Sequence, residues 1–372
     1  MNSYLKENVL EAARKRIARL YDEFESIAVS SSGGKDSTVI MHLTLDEARR
    51  RGRLPLIVYW LDQEAEWECT VDYMRSVKEI PGVDLHWLQV PFRLFNATNT
   101  EQPWTWAWGP QGNWMREKEP DSIHECPVIS DRFKQALTDY QTKHLFPGKR
   151  GAAIVGVRTQ ESMIRRMSIN HRTYKDISWG SRLNEGLHYK FWPIYDWRVS
   201  DVWKYIHETG VKYNKLYDYM LQNNVPFPNM RCSNMNHENG LRSLYYMQEI
   251  EPNTWEKLVQ RMNGINGAKH FAHDLASIDP PNGMSIVEYR DYLLNWYVED
   301  YNQRVVYARR FSNDLAWYEP EHYDKLHRAQ VTELLTNDID GQRTNNLKAS
   351  SYSFLKRKPK RAYEPAYQQQ SI

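Results

Sequence analysis

Three observations predict an α/β fold, a doubly wound and mostly parallel five-stranded sheet followed by a C-terminal helical extension. Apolar runs at 27–29, 54–61, 152–157 and 189–195 read as strands buried on both faces, with a more alternating run at 83–90. Helical spacing fills the intervals between the first three runs, as parallel crossovers require. A glycine turn, Ser32-Gly33-Gly34-Lys35-Asp36-Ser37, joins the first run directly to a helical segment. In such sheets ligands bind beyond the C-terminal ends of the strands, where this turn lies.

Bulk properties exclude several classes. The chain has 372 residues, enough for a large core plus an appendage, and a net charge of +2, which gives no global argument for nucleic acid or membrane. With 14 Trp and 24 Tyr it has the aromatic content of a folded protein. No apolar run reaches the length of a membrane span, and the polar start at 1–6 does not resemble a secretion signal. Three cysteines, Cys69, Cys126 and Cys232, are too few for a disulfide framework, so a reducing cytoplasm is expected.

Leu5, Val9, Ile17 and Leu20 place an amphipathic helix over 4–22, suited to covering one sheet face. Ile27-Ala28-Val29 then leads through Ser30 and Ser31 into the glycine turn, after which Val39, Ile40 and Leu43 form a helical stripe. A strand, a turn and a helix start place unpaired backbone N–H groups at one point, which attracts an anion. Gly33 and Gly34 permit close backbone approach, Lys35 adds a charge, and Ser32 and Ser37 add hydroxyl donors. The spacing fits neither the Walker phosphate loop nor the dinucleotide fingerprint.

The second run ends at Asp62, and Trp67, Val71, Met74 and Val77 continue as a helix before the third. Between 91 and 128 the rhythm breaks: Trp104, Trp106, Trp108 and Trp114 crowd a Gly- and Pro-containing stretch that reads equally as a lid or as a loop packed on the protein's own surface. Residues 129–144 return to helical spacing, and the fourth run leads into Gly156-Val157-Arg158. Arg158, Arg165 and Arg166 crowd this strand end; guanidinium forks there suit phosphate oxygens, although a solvated turn paired with Glu161 fits the same residues. After the fifth run, Val199, Val202, Trp203 and Ile206 mark a helix that Ser200 can cap.

Five pieces in order resemble the phosphoadenylyl-sulfate reductase family of the PP-loop adenine-nucleotide α-hydrolase superfamily, over roughly residues 20–240. They are the 32–37 loop, Asp62-x-x-x-Glu66-Trp67-x-x-Thr70, Gly156-x-Arg158-x-x-Glu161-Ser162-x-x-Arg165, Pro193-Ile194-x-Asp196-Trp197 with Asp201-Val202-Trp203, and Tyr213-Asn214-x-Leu216-Tyr217. The resemblance implies that Ser31, Ser32, Gly33, Gly34, Lys35, Asp36 and Ser37 hold the anionic end of ATP, adenylyl sulfate (APS) or phosphoadenylyl sulfate (PAPS). It implies that Asp62 and Gly156 border the nucleotide, and that Lys35, Arg158 and Arg165 carry the catalytic charge. If ATP is the ligand, Mg²⁺ is expected with it.

The reactive chemistry of the family transfers less well. Its thiol-dependent reductases attack with a C-terminal cysteine, and none follows Cys232 here; its iron–sulfur members need four thiolates, so no such cluster is expected. His124, Cys126, Cys232 and His237 form an alternative candidate set for zinc, against the plainer reading of buried thiols.

Beyond 240 the chain reads as helical, with a capping box at Ser285-Ile286-Val287-Glu288 opening one long helix through Ala308. The expected organisation is a nucleotide-binding domain at 1–240, a helical extension at 241–340 and a basic tail at 341–372. The long form resembles a phage and bacterial regulator branch of the family, exemplified by immunoglobulin-binding regulator A, which implies a ParB-like protein partner. Seven basic residues and no acid between Gln342 and Tyr363 suit either a solvated tail or nucleic acid. The leading expectation is a group-transfer enzyme acting on an adenine nucleotide, by adenylylation with pyrophosphate release or by sulfo or phospho transfer. An RNA-modifying ATP pyrophosphatase and a non-catalytic nucleotide sensor are the alternatives.

Overall fold

The structure is a computed structural model that describes residues 7–96, 104–161, 165–166, 174–183, 186–232, 235, 244–262, 264–266, 280, 283–298, 300–335, 338–339 and 341. The basic tail, His237 and Ser162 lie outside the described residues.

The strands are β1 (Ser26–Ser30), β2 (Leu56–Leu61), β3 (Val83–Leu88), β4 (Phe92–Phe95), β5 (Trp104–Ala107), β6 (Gly151–Val155), β7 (Gly180–Arg182) and β8 (His188–Phe191). Six of them form one sheet in the order β3-β2-β1-β6-β8-β7. The five expected strands are all present and parallel, with Ala28 of β1 opposite Ile57 of β2 on one side and Ala153 of β6 on the other. The sixth, β7, is an antiparallel edge strand of three residues, too short to leave a periodic signal. The fifth expected strand is shorter than its apolar run, ending at Phe191 ahead of Pro193, which has no N–H to give a ladder.

Helix α1 (Val9–Glu23) precedes β1, and α2 (Lys35–Arg50) and α3 (Glu68–Lys78) fill the first two intervals. Ile17, Leu20, Val29, Ile40, Val58, Val71 and Ile154 pack into one core at 0% exposure. Each such side chain contributes about 1.5–3 kcal/mol by leaving water. Residues 129–144 fold as a short α4 (Phe133–Asp139) that widens into a π-turn at Tyr140–Leu145. Helices α5 (Val199–Thr209), α6 (Leu216–Gln222), α7 (Leu244–Ile250) and α8 (Pro252–Arg261) complete the described helices of this part. Arg198, not Ser200, is the N-cap of α5, where the Asp201 carboxylate accepts from the Arg198 N–H at 2.7 Å.

The chain divides into two compact units, residues 1–93 with 106–269, and 94–105 with 270–372. In the second, the expected single helix is interrupted. Helix α9 (Ile286–Tyr292) opens with the capping box, passes into a π-turn at Leu293–Tyr297, and α10 (Tyr301–Trp317) starts afresh. Asp300 causes the restart, its carboxylate accepting from the N–H groups of Asn302 and Gln303 at 2.7 and 3.1 Å. Tyr289, Tyr307, Phe311 and Val331 build a separate core with α11 (Tyr323–Leu335). No helix among the described residues is long and apolar enough to cross a membrane.

Candidate functional site

The sheet order reverses at β1, which has β2 on one side and β6 on the other. The C-terminal ends of these three strands border a cavity of about 710 Å³. Its floor is the expected glycine loop. Gly33 has φ +70°, a conformation glycine reaches at little cost, and its N–H donates to Ser31 Oγ at 3.2 Å. Ser37 Oγ donates to the Gly34 carbonyl at 2.8 Å and accepts from the Ser32 N–H at 3.3 Å. The Ser31 and Ser37 hydroxyls therefore shape the loop, while Ser31, Ser32, Gly34, Lys35 and Asp36 line the cavity.

Two residues of the 213–217 motif hold this loop from outside. Asn214, fully buried, donates through Nδ2 to the Gly33 carbonyl at 3.1 Å and to Thr70 Oγ1 at 2.9 Å. Tyr217 accepts the Lys35 N–H at 3.2 Å, and its ring centre lies 5.0 Å from Lys35 Nζ. Burial holds the Tyr217 phenol well above its ordinary pKa.

Gly156 has a steric purpose besides the one its motif implies. It lines the cavity, but a Cβ there would stand 2.7 Å from the backbone C and O of Asp36 and 2.8 Å from the N of Ser37. Its bare backbone lets the β6 end close onto the start of α2. Arg158, only 3% exposed, follows at once and pairs with the Asp36 carboxylate. It also reaches Glu161 at 3.4 Å and donates to Gln160 Oε1 at 3.2 Å. Arg165 pairs with Glu161. Burial first, then the neighbouring Arg231 guanidinium, lowers the Arg165 pKa. Four cations, Lys35, Arg158, Arg165 and Arg231, line the cavity beside three carboxyls, Asp36, Glu66 and Glu161.

Asp62 departs from its expected place. It is 0% exposed and does not line the cavity. Its carboxylate accepts from Glu64 N at 2.9 Å, Trp87 Nε1 at 2.7 Å, Gln89 Nε2 at 3.0 Å and Arg116 at 2.5 Å. Three of those donors share Oδ2 and the Glu64 N–H takes Oδ1, so the carboxylate holds the turn after β2. The next residues along that turn, Gln63 and Glu66, line the cavity instead. Glu66 is 4% exposed, and burial followed by the Asp62 charge pushes its carboxyl up to about 8.

The tryptophan-rich stretch packs on the protein itself at Trp108, which is fully buried and donates from Nε1 to the Asp62 carbonyl at 2.8 Å and from its backbone N–H to Glu64 at 2.8 Å. Glu64 also pairs with Arg261 of α8 at 2.7 Å, and Glu251 accepts from the first N–H groups of α3, Glu68 and Cys69, at 2.8 and 2.9 Å.

The candidate zinc ligands are not brought together among the described residues, which contain no grouping of three His, Cys, Asp or Glu side chains fit for a metal. His124 Nε2 lies 2.9 Å from the Glu119 carbonyl oxygen. Cys232 lies at the glycine loop, its Sγ 3.5 Å from the Ser32 carbonyl and 3.8 Å from Tyr217 OH. Burial pushes its thiol up to about 11. Arg231 is a cavity residue with no signal in the sequence, and Cys232, expected only as a zinc ligand or a buried thiol, is another, because nothing in their spacing relates them to a loop two hundred residues earlier.

A model described as the phosphoadenosine phosphosulfate reductase domain matches residues 26–223, and one for a domain of unknown function (DUF3440) matches 224–362. The chain is 29% identical over 355 residues to the uncharacterized protein YbdN of Escherichia coli (strain K12), covering 90% of this chain and 86% of that one. It is 25% identical over 223 residues to sulfate adenylyltransferase subunit 2 of Sulfurimonas denitrificans, covering 58% of this chain and 67% of that one. Among solved structures, a phosphoadenylyl-sulfate reductase from Candida auris aligns at 18% identity and a TM-score of 0.33, over 58% of this chain and 93% of that one. The FMN adenylyltransferase of Candida glabrata aligns at 12% and 0.36, over 58% of this chain and 64% of that one.

Proposed function

The chain belongs to the phosphoadenosine phosphosulfate reductase domain family, and from that premise we propose that it binds an adenine nucleotide and catalyses group transfer from it. The observation that carries this reading is the cavity itself, where a glycine loop, the start of α2 and four cationic side chains face one space of about 710 Å³. The anionic end of ATP, APS or PAPS rests on the loop. Lys35 has a side chain 13% exposed and adds charge where the bond to the leaving group lengthens. The Asp36–Arg158 pair fixes the start of α2 against β6, so the backbone donors are held in place before ligand arrives.

The transfer is adenylylation with release of pyrophosphate, or movement of a sulfo or phospho group. Thiol-dependent reduction at Cys232, which lines the cavity, is disfavoured because burial pushes its thiol up to about 11, further from the thiolate than an ordinary cysteine. Asp36 is already paired with Lys35 and Arg158, so the described residues offer no ready-made cage for Mg²⁺. An ion arriving with ATP would be held chiefly by the phosphates, and no step is assigned to it. Among the described residues His124, Cys126 and Cys232 form no metal-binding group, and zinc is given no part.

A ligand screen with ATP, APS and PAPS, read by thermal shift and product analysis, tests the proposal. One of the three is expected to raise Tm and be turned over, and failure of all three to bind would remove the nucleotide reading. Lys35→Ala is expected to lower kcat by about a hundredfold or more. A second reading, a nucleotide sensor without turnover, draws support from the carboxylate partners that Lys35 and Arg158 already have. In that case Lys35→Ala abolishes the ligand-induced Tm shift and no product forms in any variant.

A further inference from the structure

Two apolar surfaces line the cavity, on opposite sides of the end of β1. Trp60 and Leu61 close β2 on one side. On the other stand Val199 and Trp203, one turn apart on α5. That side is fixed by the residues after β6: the Val199 N–H donates to Gln160 Oε1 at 2.8 Å, and the Trp203 ring centre lies 5.5 Å from that of Tyr217 beside the glycine loop. A nucleotide has one flat base and can cover only one of these surfaces with it.

The segment beyond α6 completes the second side. Val225 and Met230 are buried, and between them the Met230 N–H donates to the Phe227 carbonyl at 3.2 Å across a single helical turn. Cys232 then sits against the glycine loop. A Cβ on Gly34 would stand 2.9 Å from its Sγ, so the bare backbone of the loop lets the segment come this close. Held at both ends, the segment leaves the Phe227 ring 73% exposed at the cavity and sets Arg231 near Arg165, whose pKa the Arg231 charge helps to lower. Arg165 has Glu161 as a partner, whereas Arg231 makes no ion pair among the described residues. Phe227, Met230, Arg231 and Cys232 fall within 224–362, matched by the domain of unknown function, and outside 26–223, matched by the reductase domain.

We propose that this second side is the acceptor subsite and that the acceptor is a small aromatic or aliphatic carboxylic acid, its apolar body on Trp203 and Phe227 and its carboxylate on Arg231. This rests on the adenine-nucleotide reading above and narrows it to adenylylation. The base is left the surface at the end of β2. One guanidinium without a counter-ion balances a monoanion, and its fork matches the two oxygens of a carboxylate. A hydroxyl or amine acceptor would have to lose a proton, and Asp36 and Glu161, the carboxyls of the loop and of the β6 side, are already paired with cations. A carboxylate arrives as an anion and needs no base. One of its oxygens attacks the α-phosphorus of ATP. The new O–P bond forms as the bond from that phosphorus to the bridging oxygen breaks, and pyrophosphate leaves with the electron pair, giving an acyl adenylate.

The test uses the full chain with ATP, Mg²⁺ and labelled pyrophosphate, and reads the acid-dependent return of label into ATP. Phenylacetate and hexanoate are the probes. Acetate, benzyl alcohol and phenyl phosphate control for the apolar body, the charge and the kind of anion. At least one probe is expected to stimulate exchange well beyond acetate, with benzyl alcohol and phenyl phosphate inactive. Phe227→Ala should raise the KM of the active acid by about tenfold while the calorimetric affinity for ATP holds. Arg231→Gln should raise that KM by about tenfold or more, and Arg231→Lys should recover part of the loss. With ATP still bound, three results overturn the acceptor proposal and leave the nucleotide reading standing: exchange that neither probe stimulates, exchange stimulated equally by benzyl alcohol or phenyl phosphate, and a wild-type acid response in Phe227→Ala or Arg231→Gln. Absence of binding by ATP, APS and PAPS removes the nucleotide reading and the acceptor subsite with it.

Discussion

At Gly156 the requirement for glycine is steric rather than conformational. Its φ is not positive, yet a methyl group there would fall 2.7 Å from the Asp36 backbone, which cannot move without disturbing the start of α2. Gly156→Ala is expected to destabilise the protein by about 1–3 kcal/mol and to weaken ligand binding, measured by urea unfolding and by the ligand-induced Tm shift. A variant with unchanged stability and binding would show that the two segments separate freely. This residue was legible in the sequence as part of a motif, but its purpose was not, since it depends on a neighbour 120 positions away. Asp62 is the converse. An acid at a strand end reads as a ligand contact until its donors are known, and Trp87, Gln89 and Arg116 lie 25 to 54 residues later. Glu66 stayed in the background because exposure and partners, not residue type, distinguish it.

Among the elements, the parallel strands and the first three helices were legible because each carries its own pattern: continuous apolar runs for buried strands and a 3.6-residue stripe for the helices between them. What escaped was governed by single side chains. Asp300 divides the long helix by capping its second half, and β7 exists through pairing with β8. Helix α3 shows the same dependence on a distant partner. Its N-cap residue, Trp67, makes no side-chain cap bond, and Glu251, 183 residues from Glu68, supplies the acceptor to two of its first N–H groups. Glu251→Ala should therefore cost about 1 kcal/mol, the usual loss for a helix cap. Hydrogen exchange should accelerate first at the amides of Glu68 and Cys69; unchanged protection there would mean the carboxylate is not the cap in solution.

For the whole molecule, two buried acids set a pH dependence. Glu66 in the first unit is pushed up to about 8 and Glu333 in the second to about 7, both chiefly by burial. Between the ordinary carboxylate range and these values the folded chain holds protons that the unfolded chain has released, so their contribution to stability falls as pH rises. Above about 8 it no longer changes. The stability gap between wild type and Glu66→Gln should thus move in favour of the variant from pH 5 to 8, by up to about 1.4 kcal/mol per pH unit. Equilibrium unfolding at several pH values measures it, and a gap independent of pH would show that Glu66 is ionised throughout. The pairing of β1 with β6 also has a consequence in time. Ser26 meets Gly151, and Asp36 meets Arg158 across 122 positions, so the two halves of the cavity do not exist together until a long stretch of chain has closed. Closing such a loop is slow compared with forming helices. A refolding chain should accordingly regain most of its helical signal before it can hold a ligand, and the arrival of binding should mark the moment at which β6 docks beside β1.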